Sequence, residues 1–391
     1  MRLFHINGDL QMKKSLIALA ALATVATAAQ AQSSVTVYGL LDAGVRSQSS
    51  GVAASTSDKQ LTKAVSGVLN TSRFGLRGTE DLGGGLKANF NTEGKIDLTN
   101  GGQSTNLFDR RAIVGLEQTG VGRVDLGRNT TLGYDLTAAY VNDPLGQEVT
   151  VTQGTARQAM AANPLGYIYG DANATVRRDN AIKYSGTFGA TSVGLMYAVG
   201  GTAGDTQKNS SIQALARYNA NGLDVGFAYD DVTDAAKKHQ ITWTTGGNYT
   251  FNALKATVGY TDVKVDANFV GGTAGGGVSA VSATAAASYT GMLSSNSANL
   301  TAKVWNGGLT YQASSALNVV AAYYNTTFAG NGVAGYKLDS YLLRARYALS
   351  KRTDLYGLVD YTTSKGLAAA STINGGATTN TGITAGVQHR F

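Results

Sequence analysis

Through the body of the chain, apolar and polar positions alternate with a period of two. Leu223, Val225, Phe227 and Tyr229 fall on one face of an extended segment, and Asp224, Gly226, Ala228 and Asp230 on the other. Leu254, Ala256, Val258 and Tyr260 stand in the same way against Lys255, Thr257, Gly259 and Thr261, and Leu343, Ala345, Tyr347 and Leu349 against Arg344 and Arg346. The last segment sets Ile383, Ala385, Val387 and Phe391 opposite Thr384, Gly386, Gln388 and Arg390, and ends on that phenylalanine. The pattern predicts an all-β chain of roughly sixteen strands, an even number as in single-chain barrels. A β-sandwich would alternate too. In a barrel, however, the apolar face turns to lipid and the interior stays polar, glycine-rich and wet.

Connections between these strands alternate between short and long, as periplasmic turns and external loops do. Asp81 to Gly84, Asn219 to Gly222, Phe251 to Ala253 and Ser350 to Thr353 are short; Ser47 to Gly67, Thr130 to Val176, Asp266 to Ser297 and Lys365 to Asn380 are long. Gly271 to Gly277 is a low-complexity stretch within one of the long ones.

Near the start, Met12-Lys13-Lys14 precedes the apolar run Leu16 to Ala28, and Ala29-Gln30-Ala31 fits a small-x-small cleavage site. This reads as a secretory signal peptide removed before Gln32, with residues 1–11 an upstream extension and residues 32–391 a single barrel domain. Past it no apolar stretch approaches the ~20 residues of a spanning helix, so a membrane-spanning form must be a barrel. Losing Arg2, Asp9, Lys13 and Lys14 lowers the net charge from +7 to +5. The arginines are scattered at strand spacing rather than gathered into a basic run, which argues against nucleic acid as a partner. With no cysteine, and only His239 and His389 after cleavage, neither thiolate chemistry nor a histidine metal cluster nor a Ser-His-Asp triad is expected. No catalytic residue and no cofactor is predicted.

Several stretches carry a resemblance. Ser34-Val-Thr-Val-Tyr-Gly-Leu-Leu-Asp42, Ser72-Arg-Phe-Gly-Leu-Arg-Gly-Thr-Glu-Asp-Leu-Gly-Gly-Gly-Leu-Lys-Ala88, Arg110 to Leu116, Asp125-Leu-Gly-Arg128 and Tyr347 to Tyr356 resemble the trimeric general porins of Gram-negative outer membranes, most closely the β-proteobacterial branch. The resemblance implies a sixteen-stranded antiparallel transmembrane barrel whose third external loop folds inward. It also implies a homotrimer surrounded by outer-membrane lipid and lipopolysaccharide, with Phe391 as part of the signal read by the barrel assembly machinery.

Strand parity can be set against that expectation. Outward Phe74 and Leu76 send Arg73 and Arg77 into the lumen. Outward Ile113 places Arg110 inside, and outward Ile182 and Tyr184 place Arg177, Asp179 and Lys183 inside. Arg73, Arg110 and Arg177 match the positions that form the basic wall of the constriction in the resembled family; the plainer reading is lumen arginines that are solvated or paired with acids. The segment from Thr130 to Val176 takes the place of the constriction loop and carries Asp135, Asp143, Glu148 and Asp171, either opposing the arginines or simply solvated. Asp143, beside Pro144-Leu-Gly146, is the first choice, since the loop lacks the Pro-Glu-Phe-Gly-Gly tip of enterobacterial members. Arg128 shares the face of Val124 and Leu126, pointing it outward toward a trimer interface. Trp243, Trp305 and the tyrosines are candidates for interfacial girdles.

The expected function is passive diffusion of ions and small hydrophilic solutes through a water-filled channel, with a weak to moderate preference for anions. Alternatives are a substrate-specific channel, which needs a ligand ladder, a barrel-anchored adhesin, which passes no sustained current, and a barrel hydrolase, which the scarcity of histidine disfavours.

Overall fold

The computed structural model describes residues 34–49, 61–103, 106–146, 176–269, 299–330, 333–365 and 379–391. The segment read as a signal peptide and the Gly271 to Gly277 stretch lie outside these residues. Seventeen strands run in chain order: β1 (Ser34–Gln48), β2 (Leu61–Ser66), β3 (Arg73–Gly83), β4 (Leu86–Lys95), β5 (Arg111–Gln118), β6 (Gly122–Thr130), β7 (Arg177–Phe188), β8 (Thr191–Ala198) and β9 (Ser211–Ala220), followed by β10 (Leu223–Thr233), β11 (His239–Phe251), β12 (Leu254–Val265), β13 (Leu300–Gln312), β14 (Leu317–Gly330), β15 (Val333–Ala348), β16 (Thr353–Lys365) and β17 (Thr379–Arg390). Among the described residues a short helix, α1 (Leu132–Ala138), follows β6.

Every pairing is antiparallel and the sheet closes on itself, because β1 pairs with β17 from Leu40↔Arg390 to Gln48↔Gly382. Closure leaves no unpaired edge, which is the condition for strands to cross lipid. The β1 strand meets β3 along Ser34 to Leu40 and β2 along Ala43 to Gln48, so β2 and β3 are two halves of one stave. Seventeen strands thus make a barrel of sixteen staves. The β2 strand lies within the stretch from Ser47 to Gly67, where the sequence pattern predicts a long connection.

The stave breaks where Asp42 takes over the backbone. Its fully buried carboxylate accepts the N–H groups of Val68 (3.2 Å), Leu69 (3.0 Å) and Asn70 (3.0 Å), the Tyr356 hydroxyl (2.8 Å) and the Gln388 amide (3.1 Å). Donors the ladder cannot pair are thereby satisfied within the wall.

The two faces separate as lipid and water require. Val35, Val37, Val114, Leu116, Leu126, Val258, Leu309, Leu343, Val359 and Ile383 are exposed on the outside. On that same face Trp243 and Tyr260 lie 5.1 Å apart by ring centroid and Tyr260 and Trp305 4.3 Å, and Tyr323, Tyr341 and Tyr361 form a second row. Trp243, Trp305 and Tyr361 lie nearer the ends of their strands away from the tight turns, where amphipathic rings suit a lipid–water boundary. At the opposite end the hairpins are tight: Asn221 and Gly222 both take positive φ (53° and 81°), the conformation of a two-residue turn that matches strand twist.

Residues 131–146 lie inside the barrel. Thr131 caps α1 by accepting the Tyr134 N–H at 3.2 Å, and the Gln213 side chain of β9 accepts the Leu132 N–H at 2.8 Å. Leu132 and Leu136 then pack against the inner faces of β8 to β10. Farther along, the Asn142 amide donates to Thr244 Oγ1 (2.6 Å), and the Asn248 amide donates to the carbonyls of Tyr140 and Val141. The inner wall is cut back to admit the chain: a Cβ on Gly259 would sit 2.1 Å from the Asn142 carbonyl, and one on Gly308 2.5 Å from Pro144.

Candidate functional site: the channel lumen

The β3–β4 register pairs Arg73 with Lys95, Gly75 with Glu93, Arg77 with Asn91 and Thr79 with Asn89, so this whole set faces inward while Phe74, Leu76 and Phe90 face out. Glu93 is the centre of the group. It receives Arg110 Nε at 2.6 Å, Arg73 Nε at 3.7 Å and the Tyr38 hydroxyl at 3.0 Å. Arg77 lies over the Tyr38 ring, 5.0 Å from its centroid. Arg177, buried at the start of β7, lies over the ring of Tyr134 on α1 at 5.9 Å. Arg73, Arg77, Arg110 and Arg177 therefore all occupy the lumen side.

Parity misplaced two neighbours. Ile113 faces inward and is buried, paired with Asn91 and Gly127, while Val114 and Leu116 look out. Arg110 still reaches the lumen because it precedes the regular pleat of β5, its N–H donating to the Glu93 carbonyl at 3.0 Å. The second correction is Asp179. The β6–β7 register slips between Gly127 and Asn129, with Asn180 at positive φ (52°) on the facing strand, and Asp179 pairs with Arg128 instead of entering the lumen. Arg128 sits in register with Ala112 on the outward face and also donates to the Asp109 carbonyl at 2.5 Å.

Lys183 is inside and is held, with Nζ donating to the Thr130 carbonyl (2.8 Å) and to Asp135 (2.5 Å). Asp135 also accepts the Thr130 hydroxyl at 2.7 Å. This acid fastens α1 to the wall that carries the cations and does not oppose them across the gap. Asp143 is fully buried, accepting the Tyr324 hydroxyl at 2.5 Å and the Leu145 N–H at 3.0 Å, so it offers no carboxylate to lumen water. The expectation that Asp143 faces the arginines is thus corrected: it pins the inner segment to β14. Glu148 and Asp171 lie outside the described residues.

Around the rest of the inner wall arginines meet acids. Arg46 pairs with Asp360 (2.6 Å), Arg178 with Asp230 (2.8 Å), Arg217 with Asp224 (2.6 Å) and Arg390 with Asp354 (2.7 Å). On β3 to β5 and just before it, Arg73, Arg77, Arg110 and Arg111 gather about the single carboxylate of Glu93. No group of histidine, cysteine or acid ligands suited to a metal occurs among the described residues.

A family profile described as Gram-negative porin matches residues 18–367. The chain belongs to the Gram-negative porin family. An outer membrane porin protein of Bordetella pertussis is 29% identical over 411 residues, spanning 97% of this chain and 100% of its own length. Outer membrane porin protein 32 of Delftia acidovorans is 47% identical over 134 residues, 33% of this chain and 36% of the relative. Among solved structures, the anion-selective porin from Comamonas acidovorans superposes with a TM-score of 0.68 at 23% identity, covering 92% of this chain and 100% of its own. The trimer form of OmpT from Vibrio cholerae gives 0.63 at 16%, covering 92% and 99%.

This porin is an outer-membrane channel, and its lumen follows from the wall. Inward glycine, asparagine and threonine leave water in the bore, while the inner segment reduces its cross-section beside the β3–β5 cations. Two features escaped sequence reading. Glu93 shares the parity of Asn89 and Asn91, a signal that was available, but its two arginines come from different strands. Arg111, opposite Glu93 in register, was hidden by the reversed parity of Ile113.

Proposed function

We propose that this porin favours anions and works as a homotrimer, carrying ions and small hydrophilic solutes by diffusion without catalysis. The observation that carries the selectivity is the gathering of Arg73, Arg77, Arg110 and Arg111 about Glu93 on the lumen side. Charges more than about 8 Å from the path are screened at physiological salt, so this local cluster outweighs the net charge of the whole chain. Low-dielectric walls strengthen it further. The anion-selective neighbour from Comamonas acidovorans shares the fold and is consistent with this reading.

For the trimer, support comes from the trimeric neighbour and from the outer face of β3 to β6, where Val114, Leu116, Val124 and Leu126 are exposed and no tyrosine or tryptophan interrupts them. Arg128 and Asp179 lie beside that aliphatic face and belong to the proposed interface. Export through residues 12–31 with cleavage before Gln32, recognition of Phe391 by the assembly machinery, and contact with lipopolysaccharide are parts of the same proposal.

Reversal potential under a salt gradient in a planar bilayer tests the selectivity. Replacing Arg73 and Arg110 by glutamate is expected to shift it toward cations, more at low salt than at high. Replacing Lys365, exposed at the outer end of β16, is expected to shift it far less. Equal shifts from both would assign selectivity to diffuse surface charge and remove the arginine group as its origin.

A further inference from the structure

At the end of the barrel that carries the long connections, four lysines stand on the outward face of one sector of the wall. Lys264 of β12, Lys303 of β13 and Lys365 of β16 are exposed, and Lys337 of β15 is partly so. Register sets them in a row. Thr327 of β14 lies between Lys303 and Lys337, and Lys337 lies directly across from Lys365. Lys303 is the next outward residue beyond Trp305, and Lys337 and Lys365 are the second beyond Tyr341 and Tyr361, so the row stands just past the rings that mark the lipid–water boundary. From β13 to β16 it spans about 14 Å.

Little on the protein settles this charge. Lys264, Lys303 and Lys365 ion-pair with no carboxylate among the described residues, and Lys337 Nζ stands 3.9 Å from Asp339. Both acids that share this face are engaged by neutral donors: Asp339 accepts the Tyr323 hydroxyl and the Asn325 amide, each at 2.6 Å, and the buried Asp262 accepts the Tyr260 hydroxyl at 3.2 Å. Other basic side chains near that end of the outer face come with an acid, Arg128 with Asp179 and His239 with Asp231. Lysines set directly opposite each other repel, and an anion between them relieves the repulsion.

We propose that Lys264, Lys303, Lys337 and Lys365 dock the phosphates of an outer-leaflet glycolipid whose acyl chains lie along the aromatic and aliphatic face beside them. The inference rests on the reading that this porin contacts lipopolysaccharide, and it gives that contact a place. Basic side chains at a membrane surface attract anionic headgroups additively, and a row that meets two phosphates of one molecule gains from their linkage. The sector is separate from the β3 to β6 face proposed for the trimer, so it stays turned to lipid in the assembly.

The test is titration of the full-length protein in detergent with diphosphoryl lipid A, monophosphoryl lipid A and the zwitterionic phosphatidylcholine, with bound lipid counted by native mass spectrometry. Diphosphoryl lipid A is expected to bind at the lowest concentration and phosphatidylcholine at the highest. Lys303→Gln with Lys337→Gln and Lys365→Gln is expected to raise the concentration of diphosphoryl lipid A for half-occupancy about tenfold or more. Lys351→Gln with Arg352→Gln, in the tight turn at the opposite end, is expected to leave it unchanged, and unchanged channel conductance in both variants shows that the barrel is intact. Inorganic phosphate in molar excess is expected not to displace the lipid; displacement would assign the row to free phosphate and overturn lipid docking. Equal losses from the two variants, or none from the first, overturn the row alone. A wild-type protein that retains no lipid A overturns the lipopolysaccharide contact and the row with it.

Discussion

Arg46 of β1 reaches across β17 to Asp360 of β16, Nη1 to Oδ2 at 2.6 Å and Nη2 to Oδ1 at 2.9 Å, with both side chains almost wholly buried. The intervening strand gives way at Gly382, where a Cβ would lie 2.1 Å from the guanidinium. Thr384 and Gln48 accept two further donors at 3.1 and 3.0 Å. This pair ties three strands together where the sheet closes.

Breaking a buried pair leaves an uncompensated charge, which costs roughly 3–5 kcal/mol, whereas replacing both partners by apolar groups costs far less. Asp360→Ala is therefore expected to lower the midpoint of urea unfolding markedly, and Arg46→Leu with Asp360→Leu to recover most of the loss. A double variant as unstable as the single one would show that the seam depends on the bidentate bond itself rather than on charge balance.

Glu93 moderates the cations it holds. Glu93→Gln removes the carboxylate between Arg73 and Arg110 and is expected to raise the anion preference in reversal-potential measurements. Stability is expected to fall at the same time, since two arginines lose their shared partner. An unchanged reversal potential would place the selectivity-determining charges elsewhere in the bore.

The fold was legible in the sequence because a strand face turned to lipid is apolar along most of its length, and the alternation in Leu223 to Asp230 or Leu254 to Thr261 has one solution. Ambiguity arose where both parities offer an apolar residue. In Arg110-Arg111-Ala112-Ile113-Val114 either Ile113 or Val114 can face out, and only the register with Leu126 and Gly127 decides for Val114. The lumen was less legible, because its polar residues answer to partners far away in the chain. Asp143 looks like any loop carboxylate until Tyr324, 181 residues later, is placed against it. Asp179 was lost to a single bulge, which reverses parity without leaving a motif.

The inner segment depends on the missing side chain of Gly259, where a Cβ would sit 2.1 Å from the Asn142 carbonyl and 2.4 Å from Asn306 Oδ1. The carbonyl is backbone and cannot swing aside, whereas Asn306 Oδ1 is the end of a side chain. Gly259→Val is expected to push residues 140–144 off β12 at an overpacking cost of about 1–3 kcal/mol, with a higher single-channel conductance as the bore widens. Unchanged conductance would mean that residues 131–146 do not set the narrowest section.

The terminal ring sits over Gly39, where a Cβ would come within 2.3 Å of Phe391 Cζ, and the two backbones exchange hydrogen bonds of 3.1 Å. Phe391 is still 45% exposed on the outer face. Deleting it therefore forfeits only part of the burial of a large apolar side chain, at most about 1.5–3 kcal/mol. That is small beside the ladder of β17, which pairs on both sides along its length. A large fall in trimer yield in cells, combined with a nearly unchanged unfolding midpoint for the protein refolded in detergent, is the expected outcome if the residue serves assembly. Equal losses in both measurements would make Phe391 a stabilising contact alone, and normal yield in cells would remove it as a signal.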